Sequence, residues 1–123
     1  YGNIGGTGYS IQTGSYVKIG SLVTFNMYIQ MSSWSSSSSA LAIGGLPFSS
    51  GVATSGGLNA YGGAYVSYVA SAEASTEIRH GHIGSQGNVV YLYSHSGGNH
   101  TTVTGSGHGN NFGIIVNGHY HTK

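Results

Sequence analysis

The chain of 123 residues contains no cysteine, no aspartate and a single proline. Because cysteine is absent, disulfides and thiolate metal sites are excluded, and the redox compartment is left open. Because aspartate is absent, a Ser-His-Asp triad is excluded as well. These absences remove two of the commonest ways in which a small extracellular domain is stabilised or made catalytic.

Charge is also scarce. Charged residues make up 4% of the chain, against about 25% in typical soluble domains. The formal net charge of +1 produces no field that attracts nucleic acid or an anionic membrane surface. No stretch approaches the roughly 18 consecutive apolar residues of a membrane helix. We therefore expect neither nucleic-acid binding nor membrane insertion.

The only two carboxylate side chains, Glu73 and Glu77, are four residues apart. In a strand this spacing places them on one face, roughly 13 Å apart at about 3.3 Å per residue. Glycosidases hold their catalytic carboxyl groups closer than about 10 Å. We therefore expect no enzyme activity and no catalytic residue within one chain, while a site shared between subunits stays open.

Glycine is abundant, with 23 residues, near threefold its average share of about 7%. Between the glycines, Val, Ile, Tyr and Phe recur with the alternation of strands, and no window has helical periodicity. Short strands joined by glycine-rich turns predict one all-β domain over residues 1–123, a sandwich, jelly roll or barrel. Of these we expect an antiparallel β-sandwich or jelly-roll-like domain. The predicted strands are Tyr9–Gln12, Tyr16–Ile19, Leu22–Met31, Ala40–Ile43, Ala64–Ala70, Glu77–Ile83, Asn88–Tyr93 and Asn111–Tyr120. A tight Ile-Gly-Ser turn at Gly20 precedes Leu22–Met31, and Gly84-Ser-Gln-Gly87 is predicted as the loop of a hairpin.

The segment Leu22–Met31 is the clearest strand. One of its faces is fully apolar and the other is mixed, which is typical of a half-buried strand. The apolar face consists of Val23, Phe25, Met27, Ile29 and Met31.

Aromatic residues in and beside the polar connections are the candidates for binding. Trp34 lies within a run of serines that offers no core around it, while Asn59 and Tyr61 fall in a glycine-rich connection. Tyr65 and Tyr68 follow in a predicted strand. Aromatic rings combine rigid apolar area with polar tips, so we predict that these five residues contact a receptor. The alternative is that Tyr65 or Tyr68 faces the core.

Five segments follow one another in a distinctive order: Tyr16-x-Lys18-Ile-Gly20, Val23-Thr-Phe25, Ala40-Leu-x-Ile-x-Gly-Leu-Pro-Phe48, Val90-Tyr-Leu-Tyr93 and Phe112–Tyr120. This order resembles the distal receptor-binding tip domain of phage and prophage tail fibres and tailspikes. The resemblance implies a β-sandwich assembled as a parallel homotrimer on the virion, outside the cell. It also implies binding to a host polysaccharide, lipopolysaccharide or outer-membrane protein. The chain opens on Tyr1, so we expect a C-terminal fragment of a longer fibre protein.

Seven histidines depart from that pattern. Two pairs are spaced i, i+2, namely His80 with His82 and His119 with His121, and each pair lies on one face of a strand. Around a threefold axis such a pair supplies six imidazoles. This resembles the His-x-His motifs of needle-like phage fibre tips, which implies a possible iron, nickel or zinc ion. The alternative is that they are polar surface residues of a carbohydrate-facing domain.

These observations predict the receptor-binding tip of a viral fibre that attaches to a host cell-surface glycan. Two other classes stay open. One is a subunit of a secreted Gly/Tyr/His-rich filament or matrix. The other is a bacterial carbohydrate-binding module.

Overall fold

The computed structural model describes residues 8–35, 38–51, 62–72, 77–96 and 98–122. Strands make up 67% of the described chain, which contains no helix. Accordingly, none of the described segments is a helix suited to crossing a membrane. The strands are β1 (Gly8–Ile19), β2 (Leu22–Ser33), β3 (Ala42–Ile43), β4 (Gly62–Ala70), β5 (Ile78–Ile83), β6 (Val90–Ser96), β7 (Asn99–Thr102) and β8 (Gly113–His121).

All eight strands belong to one antiparallel sheet with the order β1-β2-β8-β4-β5-β6-β3. The short strands β3 and β7 share the far edge of β6. β3 pairs with Val90 and Tyr91, whereas β7 pairs with Tyr93–Ser96. The sheet curls into a half-barrel with the apolar core on its inner face.

The prediction of an all-β antiparallel domain is confirmed. The described strands form one curled sheet, where the sequence predicted two packed sheets. The physical reason is that alternation identifies the buried face of each strand. It does not distinguish an apolar face that packs on a second sheet from one that packs across the inside of a curl.

The first two strands form a long hairpin whose two-residue turn is Gly20-Ser21. Gly20 has φ +59°, a conformation that glycine adopts without steric cost. Lys18 Nζ donates to the carbonyl oxygen of Gly20 at 2.7 Å. The sequence predicted two short strands before this turn. They are one strand of 12 residues that is paired along its whole length with β2.

The predicted faces of β2 are confirmed, because the five residues of its apolar face are all buried. They pack with residues from the other strands and from the connections between strands. The remaining buried hydrophobic residues are Leu41, Ile43, Leu46, Val66, Ile78, Ile83, Val90, Leu92, Val103, Phe112, Ile114, Val116 and Tyr120.

Small residues line the middle of the inner face, where the curled strands come closest to the side chains they enclose. Phe25, Gly118, Ala64 and Gly81 are successive cross-strand partners on β2, β8, β4 and β5. A Cβ atom at Gly118 would lie 2.6 Å from Phe25 Cζ and 2.6 Å from the carbonyl oxygen of Gly63. The absence of a side chain at Gly118 therefore makes room for the Phe25 ring.

The segment after β3 seals one end of the core. The amide of Gly51 donates to the carbonyl oxygen of His121 at 2.8 Å. Ser50 is buried, and its hydroxyl donates to the carbonyl oxygen of Gly84 and accepts from the amide of Gly87 at 3.0 Å. One serine thus joins the end of the half-barrel to the loop between β5 and β6.

Most predicted strands are present with shifted ends. The hairpin predicted across Gly84-Ser-Gln-Gly87 is present, since β5 and β6 are antiparallel neighbours. No strand was predicted within the segment Ser94–Asn110, yet it contains the end of β6 and all of β7. The exposed pattern of β7 explains the difference, because a strand without a buried face lacks the alternation by which strands are recognised.

Candidate functional site

The outer face of the sheet presents two rows of side chains, each crossing seven strands in continuous register. The central row is Ser15, Asn26, Asn117, Tyr65, His80, Tyr93 and Thr102. The second row is Val17, Thr24, His119, Gly63, His82, Tyr91 and Ala42. Because neighbouring strands are about 4.8 Å apart, each row extends roughly 29 Å along the curved surface.

Neither row contains a lysine, arginine, aspartate or glutamate. The described charges lie elsewhere. Glu77 and Arg79 form an exposed ion pair with each other, and Lys18 has its ammonium 5.5 Å from the centre of the Phe48 ring. The outer face is therefore a polar, nearly uncharged surface with aromatic rings distributed over it.

Amides and a hydroxyl form a hydrogen-bonded chain on the β2, β8 and β4 part of this face. Asn26 Nδ2 donates to Asn117 Oδ1, and Asn117 Nδ2 donates to Ser67 Oγ at 3.2 Å. The Ser67 hydroxyl lies 3.5 Å from the carbonyl oxygen of Ile115. This chain fixes the orientation of both amides, so their remaining donors and acceptors point in defined directions.

Tyr65 and Tyr68 both lie on the outer face and are 66% and 45% exposed. The alternative in which one of them faces the core is wrong. In a regular strand residues three apart point to opposite faces. A bulge between Val66 and Tyr68 inserts one extra residue and returns Tyr68 to the outer face. There its ring meets Tyr28 edge-on, with 6.2 Å between the ring centres.

The second row contains a slot at Gly63, and Tyr65 of the central row lies beside it. Gly63 is the cross-strand partner of both His82 and His119, so the backbone at Gly63 is its floor and the two imidazoles flank it. A Cβ atom at Gly63 would have no neighbour within 4 Å, which shows that the slot is open. Tyr65, two residues along β4, stands at one end of the slot.

The remaining histidines of the two predicted pairs lie on the same face. His80 is on β5 next to Tyr93, and the two rings are stacked 5.6 Å apart. Burial, followed by the neighbouring imidazoles of His95, His100 and His82, lowers the pKa of His80 below its ordinary value. His121 is half-buried at the end of β8, with Nδ1 3.3 Å from the Ser21 hydroxyl. The structure thus brings His82 and His119 to one slot and His80 to a second cluster.

Trp34 is packed against the protein, although the sequence placed it on an exposed serine loop. Its Nε1 donates to the carbonyl oxygen of Gly105 at 2.8 Å, and its ring lies 5.2 Å from that of Phe112 and 5.6 Å from that of His108. The segment 103–112, distant in sequence, supplies the core that the serines lack. Asn59 and Tyr61 lie outside the described residues.

The sequence reasoning did not identify Asn26, Asn117, Tyr91, Tyr93 or Thr102 as residues of the site. A signal was present for some of them. Tyr91, Tyr93 and His95 alternate along one face of β6, and Asn26 lies on the mixed face of β2. Their meeting in shared rows depends on strand order and register, which the sequence did not reveal.

A groove on the opposite side of the sheet is an alternative site. It lies between β1, β2 and the segment after β3, with a volume of about 490 Å³. Tyr16, Phe25, Met27, Leu46 and Pro47 are among its lining residues. With no charged or imidazole group among its lining residues, this groove offers mainly apolar contact.

The chain matches no protein-family model, no curated protein and no solved structure.

Proposed function

We propose that this protein is a glycan-binding domain, the receptor-binding tip of a phage tail fibre, and that it attaches to a host cell-surface glycan through the outer face of its sheet. The observation that carries the proposal is the pair of uncharged rows that cross seven strands. The resemblance in sequence to fibre-tip domains supplies the biological setting, on the virion and outside the cell.

The chemistry of the rows suits a neutral, hydroxyl-rich ligand. A sugar ring has an apolar face that packs on aromatic rings, and its hydroxyls pair with amides, imidazoles and other hydroxyls. Tyrosine offers both kinds of contact with little loss of conformational entropy. The absence of lysine and arginine from the rows disfavours a polyanionic ligand such as nucleic acid.

The slot at Gly63 is the proposed centre of recognition. A sugar ring that enters it would lie on the backbone of β4 between His82 and His119, with Tyr65 against one side. The ordered amide of Asn117, next to Tyr65 in the central row, is within the same region. Extension along either row would accommodate further sugar units, so an extended polysaccharide or lipopolysaccharide chain is the preferred receptor over an outer-membrane protein.

We also propose that the domain assembles as a parallel homotrimer. Tyr16, Ile19 and Phe48 are large apolar side chains exposed at or beside the edge of β1 that has no neighbour among the described strands. Packing between three curled sheets would cover such residues. Three sites on one tip would also raise the avidity of weak individual contacts.

The test is binding of the purified protein to host cells and to isolated surface polysaccharide. We expect Tyr65→Ala to weaken binding about tenfold, corresponding to about 1.4 kcal/mol. Tyr65→Phe keeps the ring and should retain most of the affinity, whereas Gln86→Ala, exposed on the loop between β5 and β6, should change nothing. Binding that is equally strong in wild type and Tyr65→Ala would overturn the proposed site.

A second candidate, a filament or matrix subunit, is favoured by one observation. The outer edge of β1 is 12 residues long and has no neighbour within the described sheet, and such edges pair readily with other chains. Light scattering distinguishes the candidates. A trimer supports the fibre tip, open-ended polymers support the filament, and a monomer supports a carbohydrate-binding module.

A further inference from the structure

Three histidines from neighbouring strands meet on the outer face, beyond the slot at Gly63. His95 on β6 and His100 on β7 are direct cross-strand partners. His80 on β5 has its ring centre 4.8 Å from that of His95 and 6.1 Å from that of His100. Neither His95 nor His100 belongs to a His-x-His pair, so sequence spacing gave no sign of this cluster.

Tyr93 packs against two of the three histidines. Its ring is stacked on His80 at 5.6 Å with 16° between the planes, and it meets His100 edge-on at 4.9 Å. His80 is half-buried, whereas His95 and His100 are exposed. One imidazole is therefore fixed by packing, and the other two have room to change rotamer.

Imidazole nitrogen is a preferred ligand of zinc, copper and nickel. In a tetrahedral site with Zn–N bonds of about 2.1 Å, two ligating nitrogens are about 3.4 Å apart. Ring centres separated by 4.8 and 6.1 Å are compatible with nitrogens at that distance, provided that the rings turn toward a common point.

In the described part of the chain, no group of three or more His, Cys, Asp or Glu side chains is arranged to hold a metal ion. Binding at this cluster thus requires the exposed His95 and His100 to rotate toward His80.

We propose that His80, His95 and His100 bind one divalent transition-metal ion per chain, of the class Zn²⁺, Ni²⁺ or Cu²⁺, with the fourth coordination position open to solvent. The site differs from a ring of His-x-His pairs on a threefold axis, because all its ligands come from one chain. The proposal of this metal site does not depend on the proposed glycan binding.

The experiment is a titration of the chain, free of any added histidine tag, with Zn²⁺ in competition with a chromophoric chelator. We expect one Zn²⁺ per chain. Loss of a partner that only supports a ligand costs about 10–100-fold in affinity, so replacing a ligand should cost at least about tenfold. His95→Asn and His100→Asn should each show that loss, whereas the matched control His119→Asn, also exposed, should bind as the wild type does.

Three outcomes would overturn the proposal. They are no saturable binding in competition with the chelator, one ion per three chains, or a loss of affinity in His119→Asn that His95→Asn and His100→Asn do not share. Thermal unfolding without metal checks that the variants are folded. Because the three replaced residues are exposed, the thermal unfolding midpoints of the variants should match that of the wild type.

Discussion

The inner and outer faces of the sheet are built from the same strands and differ in almost every respect. On the inner face of β2 and β8, Val23, Met27 and Val116 are buried and packed into one core. On the outer face of the same two strands, Thr24, Asn26 and His119 are exposed. One register of backbone hydrogen bonds thus positions an apolar interior and a polar, aromatic surface at the same time.

The difference shows which property of the residues is constrained on each face. On the inner face the volume of each residue matters, because the curl leaves little space between Phe25 and the glycine beneath it. On the outer face chemistry matters more than volume, and Gly63 leaves a gap that nothing fills. Substitutions of the two adjacent glycines should therefore have opposite consequences.

The largest expected effect is that of Gly118→Ala on the inner face. The new methyl group would clash with Phe25 and with the backbone of Gly63, so the free energy of unfolding should fall by about 1–3 kcal/mol. Chemical denaturation measures this change. Gly63→Ala is the matched control, a glycine on the neighbouring strand whose substitution should change stability by less than about 0.5 kcal/mol. If Gly118→Ala and Gly63→Ala lowered the free energy of unfolding equally, the two faces would not differ in how tightly they are packed.

The next effect is at the sealed end of the core. Ser50→Ala removes the hydroxyl that bridges Gly84 and Gly87, so the free energy of unfolding should fall by about 1 kcal/mol. Thermal or chemical unfolding measures it. Ser49→Ala, at the exposed neighbouring residue, is the control and should leave stability unchanged. If Ser50→Ala had the same free energy of unfolding as the wild type, these hydrogen bonds of Ser50 would not contribute to stability.

The smallest expected effect tests the outer face alone. Gly63→Val fills the slot between His82 and His119. Because a Cβ atom at Gly63 has no neighbour within 4 Å, we expect the protein to keep its stability. Affinity for the polysaccharide should fall about threefold, corresponding to about 0.6 kcal/mol, because the slot is one of several contacts along the rows. Binding assays on immobilised polysaccharide measure it, with Gly63→Ala as the intermediate step. A variant that binds as well as the wild type would exclude the slot from recognition.

Much of the fold was predictable because it depends on local patterns. The alternation in β2, the turn at Gly20 and the hairpin across Gly84–Gly87 each involve a few consecutive residues, and all three are present. β7 was missed because it has no buried face, and Trp34 was misplaced because its packing partners are about 75 residues away.

The candidate site was predictable only in its residue types. Tyr65 and Tyr68 were identified as binding residues, yet sequence alternation places them on opposite faces. Only the bulge after Val66 brings them to one face. The cluster of His80, His95 and His100 joins three strands whose register no pattern in the sequence specifies.

The sequence by itself determined the all-β character, the inner face of β2 and the scarcity of charge, because composition and period-two alternation are properties of short segments. The tertiary structure alone decided that the described strands form one curled sheet, that Trp34 is packed, and that rows of Asn, Tyr and His cross seven strands. Those features depend on strand order, register and bulges, which arise from packing between residues far apart in the chain.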